Sequence, residues 1–386
     1  MKAGWKTVKL GAVARYEKAQ GIHSGLPYVG LEHIESGTRK FIGSRSDMEV
    51  LSSTFLFNPN HVLYGRLRPY LRKVLLPDFA GHCSTEIFPI LPSSDLDRSY
   101  LSYWLIAEST TSAIDRLCNG ARMPRANMEQ ALELEIPLPP LAEQKRIVAL
   151  LDEAFVGIDT LSSNAKTRSS EALYVFEQER DSFFSNPDNK YTETTISDIT
   201  TRLQYGTSEK SASTGRYVVL RMGNIQDGEI DYEDLKYTSS QEVIDQYSLK
   251  PGDVLFNRTN SPQWVGKSAI YRGEMPAVFA GYNIKIHTIA DKVDSEFLTF
   301  FLNSDRAMSF GRATFISSVN QANINAEKLR SYRLPLPPLR EQKAIADRLG
   351  QIRKMSRELA AIYQNSLAQS HHLKAATLRS AFNGTL

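Results

Sequence analysis

Apolar side chains return at intervals of three and four along two long stretches, and only a helix places such positions on one face. In the first they fall at Ile147, Leu151, Ala154, Ile158, Leu161, Ala172 and Val175, and in the second at Ile345, Leu349, Ile352, Leu359, Ile362 and Leu367. Each stretch opens on proline, which forbids a helix upstream and suits its first turn, with Glu143 or Glu341 placed to complement the helix dipole. The spacing predicts two long helices that pair through a seam as one antiparallel coiled coil. A Ser/Asn-rich patch at 162–170 reads as a flaw in the first seam, and Ser356, Ser366 and the His371-His372 pair as flaws in the second. About 40 residues at 1.5 Å each would make a rod of roughly 60 Å, a spacer. Elsewhere the pattern shortens to β-like runs between Gly, Pro and Asn at 62–64, 217–220, 254–256 and 284–289, with helices at 100–108 and 295–303.

The run PLPPLAEQKRI at 137–147 returns as PLPPLREQKAI at 335–345. The flanking modules repeat more faintly: 28–34 resembles 217–225, 61–66 resembles 253–258, and 101–105 resembles 298–302. The order of elements is kept, so the chain divides into a recognition module (1–136), a helix (137–185), a second recognition module (186–334) and a second helix (335–386). The fold class is α+β, each module built on a twisted, partly barrel-like sheet with flanking helices. Duplication suits a ligand with two half-sites, and divergence on a shared scaffold suits modules that read different things.

Composition is that of an ordinary globular chain: 386 residues, 41% hydrophobic and 23% charged. The net charge of +3 hides a contrast, because residues 137–190, the first helix and its exit, carry six bases against nine acids, and residues 334–386 eight against three. Opposite signs favour their pairing with each other over self-association. Two cysteines, Cys83 and Cys118, with no secretory segment and no apolar run long enough for a bilayer, point to a reducing, cytoplasmic setting without a membrane span.

Neither module is strongly basic overall, so nucleic-acid contacts would need locally gathered charge. Arg66, Arg68, Arg72 and Lys73 supply four cations in eight residues without an acid, interleaved with Tyr64 and Tyr70, which suits gripping phosphates; the alternative is a solvated basic hairpin. A second acid-free stretch, 116–128, holds Arg116, Asn119, Arg122, Arg125 and Asn127 around Gly120 and Pro124. Its counterpart, 306–325, is expected as an equivalent loop with Arg312, Ser317, Ser318, Asn320, Gln321, Asn323 and Asn325. Arginine fits guanine and Asn or Gln fits adenine in the major groove, since each makes two hydrogen bonds to that base edge. A further polar loop at 257–263 offers Asn257, Arg258, Thr259, Asn260 and Gln263 beside Trp264, although Asn, Ser and Pro also make plain turns. Arg202, Gln204, Tyr205 and Lys210 are weaker candidates.

Catalysis by this chain is not expected. It has neither a glycine-rich cofactor loop after a strand, nor an Asn/Asp-Pro-Pro-aromatic motif, nor a P-loop; Asn58-Pro59-Asn60 reads as a turn. His61, His82, Cys83 and Cys118 lack zinc spacing and read as a buried thiol with surface imidazoles, and Asp231, Glu233 and Asp234 as solvated charge.

The twice-used PLPPL-x-EQ run, the helix after it and the two variable modules resemble the specificity subunit of a type I restriction-modification system, over the whole chain. The resemblance implies two target-recognition domains that each read half of a bipartite double-stranded DNA sequence, with helices that hold them apart and dock two adenine methyltransferase subunits, joined by restriction subunits. It places S-adenosylmethionine, ATP and magnesium on those partners, and no cofactor or metal on this chain. The helix starts, Glu143, Gln144 and Lys145 with Glu341, Gln342 and Lys343, are then the expected docking surface. A pure interaction protein, two adaptor modules tethered by the coiled coil, is the other reading of the same pattern.

Overall fold

The structure is a computed structural model, and it describes residues 4–46, 50–118, 123–188, 190–318 and 321–386, the side chains of 316–318 excepted. The chain packs as two compact units, the first formed by Met1–Lys166 with Gln364–Leu386 and the second by Thr167–Tyr363. Each unit therefore holds one recognition module and half of each long helix, a different cut from the four consecutive segments read from the sequence.

In the first unit, a four-stranded antiparallel sheet runs in the order Ala14–Tyr16, Ile87–Pro92, Val62–Gly65 and Val74–Leu75. The second unit repeats it as Thr200–Tyr205, Asn283–Thr288, Val254–Asn257 and Ser268–Ile270. A helix follows in each, Arg98–Ile106 and Ser295–Leu302, started by Asp97 and Asp294, whose side chains accept hydrogen bonds from first-turn amides. In both units the strand that leads into the proline run pairs antiparallel with an earlier one: Glu135–Leu138 with Lys6–Lys9, and Arg333–Pro335 with Glu193–Thr195. The remaining strands diverge. The first unit adds a four-stranded sheet whose members Tyr28–Val29 and Gly81–Ser84 run parallel, and the second has the equivalent parallel pair, Tyr217–Leu220 with Ala277–Phe279, in a three-stranded sheet with Tyr237–Thr238.

The long helices span Leu141–Ser185 and Leu339–Asn383, 45 residues each. Within the first unit the start of one lies against the end of the other, since Arg146 Nη2 donates to Leu386 O at 2.9 Å and Lys374 pairs with Asp159. Within the second, Arg348 pairs with Glu179 and Ser169 Oγ donates to Ala360 O at 3.4 Å. The opposed runs and opposite charges meet the expectation. The helices also belong to the module cores: Ile147, Leu151, Leu378 and Phe382 pack with Tyr100, Leu101 and Trp104, and Phe184, Ala346 and Leu349 with Phe297 and Phe301.

The seam itself needs correction. Leu161, Val175, Leu359 and Ile362, taken as seam positions, are 60, 58, 44 and 61% exposed. The buried line is instead Ile147, Leu151, Ile158, Ala165, Ser169 and Ala172 on one helix and Ala346, Leu349, Ser356, Ala360, Ser370 and Leu378 on the other. What reads as a polar flaw is the seam continuing through small residues that let the backbones come close. Reading by apolarity alone passed over Ala165 and Ser169 and moved the phase onto neighbouring leucine and valine.

Two further expectations change. The stretch 306–325 is no loop: it lies within the helix Asp305–Thr314, then a hairpin of Ile316–Ser318 and Gln321–Asn323. The imidazoles of His61 and His82 are not at the surface; both are buried, His61 facing Glu17 at 3.0 Å and His82 facing Thr54 at 3.0 Å. Cys83 is buried as expected, and its surroundings raise its thiol pKa well above the usual range by desolvation.

Candidate nucleic-acid interface

The two central strands end on equivalent arginines. Val62–Gly65 leads to Arg66, whose N–H donates to Glu86 O and whose carbonyl accepts from Ala126 N, both at 2.9 Å. Val254–Asn257 leads to Arg258, which makes the same two bonds with Tyr282 O and Ile324 N, also at 2.9 Å. One residue further, Leu67 bridges to Arg125 and Thr259 pairs with Asn323. The sheet thus brings together, in each unit, two polar stretches that are far apart in sequence.

In the first unit Arg125 Nε donates to both Glu86 oxygens at 3.0 and 3.2 Å, and Arg66 Nε stands 3.9 Å from the same carboxylate. The Arg66 guanidinium lies over the Phe88 ring, 5.0 Å from its centroid. Arg66, Phe88 and Arg125 line a cleft of about 450 Å³ with Tyr16, Lys18, Asn127 and Glu129. Burial pushes the Tyr16 phenol up to about 12, against the opposing pull of Arg66, so it stays a neutral hydrogen-bonding group. Beyond the cleft, Arg68 and Arg72 flank a single 3-10 turn at Pro69–Leu71, both with left-handed backbone, φ 52° and 50°. Non-glycine residues rarely adopt that region, and both side chains are exposed, as is Tyr70. This turn presents two cations outward, as gripping phosphates requires.

Other members of the expected set have different roles. Tyr64 is 2% exposed and lies in the core, so it cannot face a ligand. Lys73 Nζ is spent on Leu31 O and Ile34 O at 2.6 and 2.9 Å. Arg116 is exposed at the end of the helix Glu108–Arg116, and Asn127 caps the helix Met128–Leu132 through its Oδ1. Asn119, Arg122 and Asn320 lie outside the described residues.

In the second unit the equivalent positions close on themselves. Arg258 Nη2 donates to Asn323 Oδ1 at 3.1 Å, Asn323 Nδ2 donates to Thr259 Oγ1 at 2.7 Å, and the Arg258 guanidinium stacks on Tyr205 at 4.9 Å. Asn257 is fully buried, donating to Thr259 O, Tyr282 O and Asn283 Oδ1, which removes it from any surface. Asn325 caps the helix Ala326–Arg330, and Arg312 pairs with Asp305 at 3.1 Å. Gln263 and Gln321 are exposed, as are Arg202 and Lys210, whereas Gln204 is buried. Beside this network a cleft of about 660 Å³ is lined by Arg221, Asn260, Trp264, Lys267 and Tyr282 among others, with Trp264 and Tyr282 half exposed. Lys267 stacks on Trp264 at 4.9 Å, and burial lowers its ammonium pKa. Aromatic faces and cations in one groove suit bases and phosphates.

Sequence reasoning missed Glu86, Lys18, Arg221 and Tyr282. The one signal for Glu86 is indirect: an acid-free run of arginines next to a core calls for a carboxylate from elsewhere.

The helix starts are also revised. Gln144 and Gln342 are 0% exposed, so neither side chain offers a docking surface. Gln144 Oε1 accepts from Asp97 N at 2.8 Å while Nε2 donates to Asp95 O and Pro139 O; Gln342 repeats this with Asp294 N, Lys292 O and Pro337 O. The proline run has few N–H groups and several carbonyls, which a buried amide satisfies. Glu143 pairs with Arg146 and Glu341 accepts from Tyr191, leaving Lys145 and Lys343 exposed. Among the described residues no cluster of His, Cys, Asp or Glu is placed to hold a metal, and no helix is long and apolar enough to cross a membrane.

Comparison with known proteins agrees with this architecture. The chain is 30% identical over 164 residues to the Type I restriction enzyme EcoDI specificity subunit of Escherichia coli, an alignment that covers 41% of this chain and 36% of that one. It is 24% identical over 379 residues to the Type I restriction enzyme MjaVIII specificity subunit of Methanocaldococcus jannaschii, covering 90% and 86%. The chain thus spans about a third of the first curated relative's length and most of the second's. Among solved structures, one from a study of complex assembly and conformational transition of the type I R-M system matches with a TM-score of 0.85 at 20% identity, covering 100% of this chain and 99% of that one. The HsdS subunit from Thermoanaerobacter tengcongensis matches with a TM-score of 0.60 at 20% identity, covering 100% and 98%. The family model for the type I restriction modification DNA specificity domain matches twice, over residues 2–167 and 189–365, and on that ground the chain belongs to this family.

Proposed function

We propose that this chain is the sequence-reading subunit of a type I restriction-modification complex. It binds double-stranded DNA, each unit taking one half of a bipartite target, and it directs adenine methylation by two methyltransferase subunits and cleavage by restriction subunits in the cytoplasm. The chemistry and its S-adenosylmethionine, ATP and magnesium belong to those partners. One observation carries the reading: the same strand-end edge occurs twice on one scaffold with different side chains, Arg66 and Arg125 in one unit and Arg258 and Asn323 in the other. A duplicated frame with altered reading groups is what two unlike half-sites require. Docking of partner helices is supported by the apolar residues that the long helices leave outside their seam, Val156 and Leu161 in the first unit and Val175, Met355 and Ile362 in the second.

The test is a map of methylated adenines across a genome in cells that express this chain with its methyltransferase partner. Two short constant sequences separated by a fixed unread gap are expected; an uninterrupted motif, or none, would sink the reading.

A further inference from the structure

The equivalence of the two edges runs through three positions. Backbone bonds at 2.9 Å align Arg66 with Arg258 and Glu86 with Tyr282, and the next bridge aligns Arg125 with Asn323. In the second unit the Arg258 Nη groups and the Asn323 amide, though not the buried Arg258 Nε, satisfy one another or nearby groups: Asn323 has Arg258 on its oxygen and Thr259 on its nitrogen, and Gly281 O accepts from Arg258 Nη1 at 3.4 Å. In the first unit the matching groups do not. Two guanidinium groups share one carboxylate, which leaves more donors than acceptors at the edge of the cleft.

The geometry of Arg125 matters most. Pro124 O accepts from Arg68 N at 2.8 Å and the fully buried Ala126 bonds to Arg66 O, so the short segment is pinned and turns Arg125 outward, its side chain 40% exposed. Glu86 holds Nε and sets the plane of the guanidinium. The two Nη groups at its far end stay available, and that end-on pair matches the two acceptors that guanine presents in the major groove.

We propose that Arg125, oriented by Glu86, reads a guanine in the half-site taken by the first unit, and that the matching Arg258 and Asn323 in the second unit are structural and read no base. Glu86 is a positioning residue: it lies among phosphate-seeking cations, and its charge keeps the two arginines on a base edge and off the backbone. The proposal rests on the reading above, that each unit takes half of a DNA target.

The experiment selects duplexes from a randomised library with the full chain bound to its cognate methyltransferase, for the wild type and three variants. Arg125→Gln should relax one G·C position in one half-site, with the preference there falling roughly 5- to 150-fold and the other half-site unchanged. Glu86→Gln should relax the same position while binding to non-target duplex rises and the log–log salt slope steepens by about one, because a freed guanidinium takes a phosphate. A merely structural Glu86 would lower every affinity together. Arg258→Gln should lower the melting temperature and keep the base preferences of both half-sites. Retention of that G·C preference in Arg125→Gln, or relaxation of a base by Arg258→Gln, overturns the proposal. If the wild type itself selects no sequence, the broader reading has failed instead.

Discussion

At the scale of the residue, the most instructive side chains are the paired glutamines of the repeated run. They stand out in the sequence as Glu-Gln-Lys at a helix start, and they look like surface. The structure makes each a buried clasp between the proline run and the start of the preceding helix, with three hydrogen bonds to backbone. Gln144→Leu leaves an N–H and two carbonyls without partners, which should cost about 2 to 4 kcal/mol, and Gln342→Leu should cost the second unit the same. Denaturant melts followed by fluorescence check this, and a loss below about 0.5 kcal/mol, within the range of an ordinary surface substitution, would show the clasp to be idle. The repeat was legible because it is local. The clasp was not, because two of its three partners in each copy lie 47 to 50 residues away and only the packed helix brings them to the amide.

Among the elements, the long helices show where hydrophobic periodicity succeeds and where it misleads. Their starts, approximate length and opposed pairing follow from proline, spacing and charge. Their buried line does not follow from apolarity, because Ala165, Ser169, Ala172, Ser356 and Ala360 occupy it while Leu161, Val175 and Ile362 face out. Close backbone approach selects small residues, a criterion that a count of leucines cannot see. Ser169→Leu should overpack this line and destabilise the chain by about 1 to 3 kcal/mol. Val175→Ser should leave stability within about 0.5 kcal/mol and weaken capture of the methyltransferase partner in a pull-down. Equal destabilisation by both would return Val175 to the seam. The loop expected at 306–325 failed for a related reason: Arg312 lies on the outer side of a helix that buries Ala307 and Gly311, and Gln321 is exposed on a strand that buries Ala322.

For the molecule as a whole, the helices are proposed to set the unread gap in the target. Deleting seven residues around Ser169 together with seven around Ala360 preserves the seam's phase and shortens each helix by about 10.5 Å, roughly three base pairs of duplex. Methylation mapping should then find the same two half-sites with the gap shortened by about that amount; altered half-sites with an unaltered gap would refute the ruler. Duplication, fold class, the order of elements and the two helix starts were all settled by the sequence, because each depends on residues close together in the chain: a proline run, a period, a repeated motif. Only the tertiary structure decided which polar residues are left exposed. Arg125 meets Glu86 across 39 positions and Arg258 meets Asn323 across 65, and the same residue types become a part-exposed pair or a closed brace according to partners that no local pattern reveals. A side chain's chemistry is written locally, but its exposure and its hydrogen-bond partners are set by strands that arrive from elsewhere in the fold.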